Sequence, residues 1–267
     1  QAILKRFGML DCTTRPTPMA SDYRKKLKKR EGHVNDPATQ RLYRQICGSL
    51  NFLSTPSRPD ISFAVKELSR HLNHPTESHV QAGLRVLRYL KGTADYGLTY
   101  TRNAKAVFYG HADADFAGED ETAKSTTGFA FSGGSGVLCW KAATQSLVTH
   151  SSTEAELVAL DSAARELEYL RQIAVDFGIK LELPVTVYQD NLSTVQVVKS
   201  GRFSARTKHL SVRYHYTHNL MKDGIVTLQH LGTKHLPSDA LTKALGAYDH
   251  KRHSLVLLGM APIEGVC

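Results

Sequence analysis

Hydrophobic residues in the first third of the chain recur at the spacing of one helix face. Three such series each open on a residue pair typical of a helix start, and Gly92 ends the third series. The pairs are Asp36-Pro37, Pro59-Asp60 and Pro75-Thr76. The pattern predicts a small, mainly helical region with a basic amino-terminal segment, and we assign residues 1–103 to it.

After residue 103 the hydrophobic spacing shifts toward two, which is typical of strands. The predicted strands cover residues 107–113, 127–131, 137–141, 185–189 and 225–229. A long helix over residues 151–170 separates the third strand from the fourth, so we expect a parallel pair of strands. Shorter helices are predicted after Asp190, from Arg206 and from Pro237. Residues 104–267 are thus predicted to form an α/β domain, with a mixed five-stranded sheet flanked by helices.

The predicted long helix carries two glutamates in different surroundings. At about 100° per residue, Glu154 lies with Asp161 and Arg165 on the polar face, and we expect all three to point into solvent. Glu156 instead lies among apolar residues such as Leu160. Because an unpaired charge is costly to bury, Glu156 needs a cation, a metal ion or a water-filled cleft. The alternative is that Glu156 lies at the edge of the core and extends its carboxylate outward.

Three further acids occur where the predicted elements of this domain end or begin. Asp113 closes the first strand, Asp190 closes the fourth, and Asp239 lies in the first turn of the last helix. If the first and fourth strands are parallel neighbours, these acids converge with Glu156 at the edge where α/β sheets bind ligands. Crowded carboxylates repel one another, and two divalent cations about 4 Å apart, Mg²⁺ or Mn²⁺, would relieve that repulsion and assist phosphodiester cleavage. Taken singly, Asp190 could be only a turn residue and Asp239 only a helix start.

The composition is that of a basic globular protein. Of 267 residues, 34 are Lys or Arg and 25 are Asp or Glu, and the net charge of +9 favours a polyanionic partner, with nucleic acid first. The 41% hydrophobic content is sufficient for hydrophobic cores. The four cysteines form no Cys-x-x-Cys pair, so neither a zinc ribbon nor a disulfide framework is indicated. No apolar run approaches the roughly 18 residues of a membrane span, so we expect no membrane partner.

Two basic stretches are candidates for phosphate contacts. Residues 9–32 show little periodicity and carry the basic run 24–30, and we expect them to be extended and solvated. That run would bind phosphates, an import receptor or only water. On the third helix Arg85, Arg88 and Lys91 are spaced by three and form a basic stripe beside the apolar face. The stripe can follow a phosphate backbone, and the alternative is a solvated helix face.

Several short motifs follow one another along the second region. They are YGHADADFAG (109–118), STTGF (125–129), SSTEAE (151–156), YQDN (188–191) and RTKHL (206–210). In this order they resemble the ribonuclease H domain of copia-type retrotransposon Pol polyproteins. Residues 48–53, 58–61 and 87–93 resemble the thumb and connection segment that follows the polymerase palm in the same proteins. The resemblance covers nearly the whole chain and implies a ribonuclease H-like fold for residues 104–267.

The resemblance also implies an activity and a set of site residues. The activity is an endonuclease that cuts the RNA strand of RNA/DNA hybrids with two Mg²⁺ or Mn²⁺ ions. The implied catalytic residues and metal ligands are Asp113, Glu156, Asp190 and Asp239, although residues 237–243 (PSDALTK) depart from the family's usual last motif.

Other residues near these motifs are secondary candidates. Asp115 shares the strand parity of Asp113 and is a backup candidate for the site. His235, with His230 as the alternative, is the candidate for the loop histidine that helps product leave in cellular ribonucleases H. Arg206 and Lys208 join the basic stripe as candidate nucleic-acid contacts.

The resemblance further implies partners and a location. The partners are the RNA/DNA hybrid and the remainder of the Pol polyprotein, including the polymerase palm and fingers, while the oligomeric state is left open. No Tyr- or Phe-x-Asp-Asp motif is present, so we do not expect this piece to synthesise DNA. Because residue 1 is Gln, we expect the chain to be part of a longer protein. The implied location is the cytoplasm, within a virus-like particle, with nuclear access as an open alternative.

Two other functions compete with hybrid cleavage. A catalytically silent or domesticated remnant would keep the fold and the basic surface without turnover, and the complete acid set argues against it. An integrase-like DNA nuclease of the same broad fold is disfavoured by the order of the acids, because Asp190 follows the helix that carries Glu156.

Overall fold

The computed structural model describes residues 1–27, 36–102, 107–119, 122–201 and 211–264. Several features predicted from the sequence lie outside these ranges: the boundary at residue 103, the end of the basic run 24–30, and the start of the helix predicted from Arg206, with Arg206 and Lys208. Among the described helices, none is long and apolar enough to cross a membrane.

The amino-terminal region is helical, as predicted. Its helices are α1 (Ala2–Arg6), α2 (Tyr23–Lys26), α3 (Pro37–Ser54), α4 (Ser62–Ser69) and α5 (Glu77–Gly92), with a 3-10 turn over Pro59–Ile61 before α4. Asp36 caps α3, because its carboxylate accepts hydrogen bonds from the backbone N–H groups of Ala38 (3.2 Å) and Thr39 (2.9 Å). The three predicted helix starts are therefore confirmed.

Residues 9–32 were predicted to be extended and solvated, and this is wrong for the described part of the segment. Met9, Met19, Tyr23 and Leu27 are at most 8% exposed and belong to the same hydrophobic cluster as α3, α4 and α5. The segment crosses the outside of α5, where the backbone N–H of Arg15 donates to the backbone carbonyl of Arg88. Scattered apolar residues in a proline-rich stretch have no regular spacing, so only tertiary packing reveals that they are buried.

The second region contains the predicted five-stranded mixed sheet. Its strands are β1 (Phe108–Asp115), β2 (Thr126–Gly133), β3 (Val137–Thr144), β4 (Val185–Gln189) and β5 (Val226–His230), in the order β3-β2-β1-β4-β5. β1, β2 and β3 pair antiparallel, whereas β4 pairs parallel with both β1 and β5. The parallel pairing of β1 with β4, which sets Tyr109 opposite Thr186, brings the ends of these two strands to one edge of the sheet.

The helices of the second region are α6 (Ser152–Asp176), α7 (Leu192–Ser200), α8 (Ser211–Lys222), α9 (Asp239–Thr242) and α10 (Ala247–Leu257). The helix predicted from Pro237 is a single turn, α9, and the sequence did not predict α10. The buried face of α10 includes His250, His253 and Ser254, so its hydrophobic periodicity is weak.

Helices cover both faces of the sheet. α6 and α8 pack on one face around a core that includes Leu160, Leu167 and Val187. α9, α10 and α4 lie on the other face. There Trp140 Nε1, on β3, donates hydrogen bonds to Ser54 O (3.1 Å) and Ser62 Oγ (3.0 Å). The amino-terminal region therefore closes the second face of the sheet.

Candidate active site at the edge of the sheet

Three acids from three different elements meet where β1 and β4 end. Asp113 lies in β1, Asp190 directly follows β4, and Glu156 lies in the second turn of α6, which packs across β1 and β2. One carboxylate oxygen from each acid lies within 4.8 Å of the others. The structure thus brings together three of the four acids singled out in the sequence, at the edge where parallel strands commonly present ligand sites.

Asp113 is 2% exposed and is held by a threonine of α9. Thr242 Oγ1 donates a hydrogen bond to Asp113 Oδ2. α9 approaches this closely because Gly128, the partner of Asp113 across β1 and β2, has no side chain. A Cβ at Gly128 would lie 2.6 Å from Thr242 Cγ2 and 2.9 Å from Leu241 Cβ. Burial raises the pKa of Asp113, Lys243 opposes this rise, and the charge of Asp190 adds to it.

Glu156 is 5% exposed, and its carboxylate is oriented by Gln189 at the end of β4. Gln189 Nε2 donates a 2.5 Å hydrogen bond to Glu156 Oε2. Burial raises the pKa of Glu156 well above its ordinary value, and the neighbouring charges of Asp113 and Asp190 add to the rise. The outward-extended alternative is therefore wrong, because the Glu156 carboxylate faces two other acids inside the protein. Sequence reasoning missed Gln189. Its only signal in the sequence is its position, because it is a polar residue that ends a buried strand directly before Asp190.

Asp190 is half-buried and is held by the loop that follows β5. Thr233 Oγ1 donates a 2.6 Å hydrogen bond to Asp190 Oδ2. The His230 Nε2 atom lies 3.0 Å from the backbone carbonyl oxygen of Asp190. The end of β5 and the loop that follows it therefore fix both the backbone and the side chain of Asp190.

Asp239 lies beside the three-acid group but is paired with a lysine. Lys243 Nζ is 2.9 Å from Asp239 Oδ1, and Asp239 is 4% exposed. Burial and the charge of Asp113 raise the pKa of Asp239 to about 8, although Lys243 opposes the rise. Metal ligation by Asp239 stays a prediction. Within the motif 237–243, sequence reasoning missed the roles of Thr242, which bonds to Asp113, and Lys243, which pairs with Asp239.

Two secondary candidates have partners of their own. His235 is 40% exposed at its side chain, and its Nδ1 lies 3.2 Å from Glu264 Oε2. Its role in product release stays a prediction. Asp115 does not belong to the three-acid group, because its carboxylate forms a 2.8 Å ion pair with Arg24 Nη2.

Glu154 and Asp161 were predicted to face solvent, and both predictions are wrong. Glu154 is 8% exposed, and its Oε2 accepts a 2.7 Å hydrogen bond from the backbone N–H of His150. Asp161 is 2% exposed and is paired with Arg165 and Arg213. Helical periodicity placed these acids away from the sheet, but the chain before α6 and helix α8 cover that side.

The basic stripe on α5 is partly covered by the amino-terminal segment. Lys91 Nζ donates a 2.6 Å hydrogen bond to Cys12 O, and Arg85 Nη2 donates one of 2.8 Å to Thr17 Oγ1. Arg85, Arg88 and Lys91 are all half-buried. The stripe is therefore partly covered rather than fully solvated, and its contact with a phosphate backbone stays a prediction.

The strand order, the mixed pairing and the acids at the ends of β1 and β4 define a ribonuclease H-like domain. Over 244 residues the chain is 34% identical to the Retrovirus-related Pol polyprotein from transposon RE1 of Arabidopsis thaliana, a match that covers 91% of this chain and 16% of that protein. It is 31% identical over 247 residues to the polyprotein from transposon TNT 1-94 of Nicotiana tabacum, and this match covers 92% of this chain and 18% of that protein. The chain belongs to the Pol polyproteins of copia-type transposons, and it spans less than a fifth of the length of these relatives.

Comparisons with solved structures and with protein-family models give two further findings. The ribonuclease H1 of the archaeon Halobacterium salinarum NRC-1 superposes with a TM-score of 0.37 at 16% identity, covering 51% of this chain and 93% of the archaeal one. The chain matches no protein-family model.

Proposed function

We propose that this domain hydrolyses the RNA strand of RNA/DNA hybrids with two divalent metal ions, as the ribonuclease H of a retrotransposon reverse transcriptase. The observation that carries the proposal is the convergence of Asp113, Glu156 and Asp190, whose carboxylate oxygens lie within 4.8 Å of one another. Membership of the Pol polyprotein family supports the choice of reaction and substrate.

The chemistry of the three acids fits Mg²⁺ or Mn²⁺. They offer only carboxylate oxygens, and no described His or Cys joins the group. The raised pKa values of Asp113 and Glu156 express the cost of burying negative charge, which a divalent cation would offset. When bound by Asp113, Glu156 and Asp190, with Asp239 as the proposed fourth ligand, two ions would stabilise the attacking and leaving oxygens.

The remaining contacts hold the acids in fixed orientations. Gln189 orients Glu156, Thr242 orients Asp113, and Thr233 orients Asp190. Hydrogen bonds from such supporting groups keep ligand oxygens from rotating away, so the site does not have to be rearranged when substrate arrives.

The wider context of the reaction belongs to the same proposal. The partners are the RNA/DNA hybrid and the remainder of the Pol polyprotein, and the location is a cytoplasmic virus-like particle. Candidate contacts to the hybrid are Arg206 and Lys208, together with the stripe Arg85, Arg88 and Lys91.

The competing proposal is a remnant that binds nucleic acid without turnover. A chain released from selection for cleavage has no reason to keep Gln189, Thr242 and Thr233 aimed at three acids. The intact hydrogen bonds around Asp113, Glu156 and Asp190 therefore favour the hydrolase.

A cleavage assay on matched duplexes tests the proposal. One labelled RNA sequence is offered as a hybrid with DNA, as double-stranded RNA and as a single strand, and the same sequence is offered as duplex DNA. We expect cleavage of RNA in the hybrid alone, with Mg²⁺ or Mn²⁺, and none in EDTA. Because the 2′-hydroxyl identifies RNA, the DNA strand of the hybrid should stay intact.

Asp190→Asn is the control for a contaminating nuclease, since it should retain the fold and lose the activity. Hybrid binding without cleavage by the parent protein, in either metal, would favour the silent remnant. Equal cleavage by Asp190→Asn and the parent would contradict the site.

A further inference from the structure

A cavity of about 450 Å³ lies between the amino-terminal segment and the outer side of α5. Its basic lining consists of Arg15, Lys26, Arg85 and Arg88, and Glu77 is its acidic member. None of the acids of the sheet edge lines it. The cavity is therefore a separate, positively charged site, built by the same packing that covers the basic stripe.

The arginines of this cavity carry donors with no partner. The Nε atoms of Arg85 and Arg88 are buried, and neither forms a hydrogen bond to any described residue. Burial lowers the pKa of Arg85, and the charges of Arg15 and Arg88 lower it further, while Asp22 opposes them. Buried donors without an acceptor are costly, and like charges held together add to that cost; an anion bound beside these guanidinium groups would offset the charge repulsion.

The rest of the lining is largely apolar. Met19, Ala20, Tyr23, Leu27 and Ala82 form its floor and walls. A free inorganic anion needs only the arginines, whereas a nucleotide combines a phosphate with a base and a sugar that pack on apolar and aromatic surface. The combination of clustered guanidinium groups with a largely apolar lining fits a nucleotide best.

Contacts also connect this cavity with the end of β1. Tyr23 lines the cavity, and the guanidinium group of the next residue, Arg24, lies over the Tyr23 ring. Arg24 Nη2 forms the 2.8 Å ion pair with Asp115, two residues beyond Asp113 on β1. The cavity and the acids thus lie at the two ends of one short series of contacts.

We propose that the cavity bounded by Arg15, Arg85 and Arg88 binds the phosphate group of a nucleotide, with the sugar or base against Tyr23 and Leu27. The phosphate belongs either to a free nucleotide or to a nucleic-acid strand. This site goes beyond the proposed hydrolysis, because it uses none of the acids and needs no metal ion. Unlike the stripe read from the sequence, it excludes Lys91, which is bonded to Cys12, and includes Arg15.

Binding measured in EDTA tests the site without hydrolysis. Adenosine 5′-monophosphate and adenosine are titrated by calorimetry, and a labelled RNA/DNA hybrid is titrated by fluorescence anisotropy at several salt concentrations. The test variant is Arg85→Gln/Arg88→Gln. The control, Arg41→Gln/Lys222→Gln, removes the same charge from exposed residues that do not line the cavity.

Two results support the proposal and distinguish the source of the phosphate. The first result is that adenosine 5′-monophosphate binds saturably and adenosine does not, and that the test variant alone binds it more weakly by on the order of ten-fold or more. This result identifies a free nucleotide as the source of the phosphate. The second result is that the mononucleotide does not bind, while the test variant alone loses affinity for the hybrid and has a smaller salt slope. This result identifies a nucleic-acid strand as the source of the phosphate. The slope should fall by about one per lost phosphate contact.

Gln81 supplies a second pair of variants that does not disturb the core. Gln81 lines the cavity and is exposed, so Gln81→Lys should strengthen binding and Gln81→Glu should weaken it. Equal effects of the test and control variants, or no response to either charge at Gln81, would overturn the proposal. Neither outcome bears on cleavage, which is measured separately with metal, so failure of this site leaves the hydrolase proposal standing.

Discussion

Lys243 Nζ lies 2.9 Å from Asp239 Oδ1, four residues away along the chain. Between them, Thr242 donates a hydrogen bond to Asp113. Residues 239–243 therefore bring an acid, a hydroxyl group and a cation to one edge of the site. The acids Asp113 and Asp239 raise the pKa of Lys243 although burial opposes them, so the ammonium group stays charged and offsets part of the crowded negative charge.

The first prediction concerns the stability of the metal-free protein above neutral pH. The pKa of Asp239 is raised from 3.8 to about 8, so between these values the unfolded chain has released a proton that the folded protein keeps. Stability should therefore fall as pH rises through this range. Below about pH 6.5 the buried histidines His111, His250 and His253 have the opposite effect on stability. Their pKa values are lowered to about 3, 4 and 4, so they make stability fall as pH falls. The decline should therefore be seen between about pH 6.5 and 8.

Urea unfolding in EDTA at pH 6.5, 7.25 and 8 measures this decline. Asp239→Asn should reduce the decline and leave the part due to Asp113 and Glu156, whose pKa values are also raised, whereas Asp176→Asn, a change at an exposed acid, should not reduce it. Addition of Mg²⁺ should raise stability most at pH 8, where the acids are most ionised. A decline of equal slope in Asp239→Asn and the parent would show that another group is responsible.

The second prediction concerns Asp113→Asn and Asp190→Asn. Each should abolish hybrid cleavage, and each should leave the fold intact or more stable in metal-free buffer, because removing one like charge relieves repulsion among the acids. Cleavage rates and urea midpoints in EDTA measure the two effects. Near-full activity in either variant would show that the site is assigned wrongly.

The third prediction separates the two glutamates at the start of α6. Glu156→Gln should lose cleavage by orders of magnitude, because Glu156 is one of the three converging carboxylates. Glu154→Gln should change cleavage little, since Glu154 bonds to the backbone of His150 and a glutamine oxygen can accept the same hydrogen bond. Single-turnover rates on one hybrid compare them, and losses of similar size would contradict the assignment.

The fourth prediction concerns the approach of α9 to β2. In Gly128→Ala the new methyl group would lie 2.6 Å from Thr242 Cγ2, so α9 has to shift and the hydrogen bond from Thr242 to Asp113 is weakened. We expect lower cleavage and a loss of about 1–3 kcal/mol in the free energy of unfolding. Gly48→Ala is the matched control, because a methyl group there meets no atom within 4 Å and favours α3. Equal activity of the two variants would show that α9 does not position the site.

The sequence predicted the elements that have a strong local signal. The Asp36-Pro37 start of α3 and the regular apolar spacing indicated the helices, and the strand-helix-strand order indicated the α/β sheet and its parallel pair. The same order placed Asp113 and Asp190 at strand ends, and helical geometry placed Glu156 rather than Glu154 toward the apolar side. These predictions succeeded because each depends on residues that are close in sequence.

Only the tertiary structure decided which long-range contacts complete the site. Thr242 and Asp113 are 129 residues apart, and Gln189 and Glu156 are 33 apart, so no local pattern relates them. The same is true of the burial of Met19 and Tyr23. Sequence periodicity specifies which side of an element is apolar, whereas packing among distant elements decides what covers the other sides and which polar groups meet there.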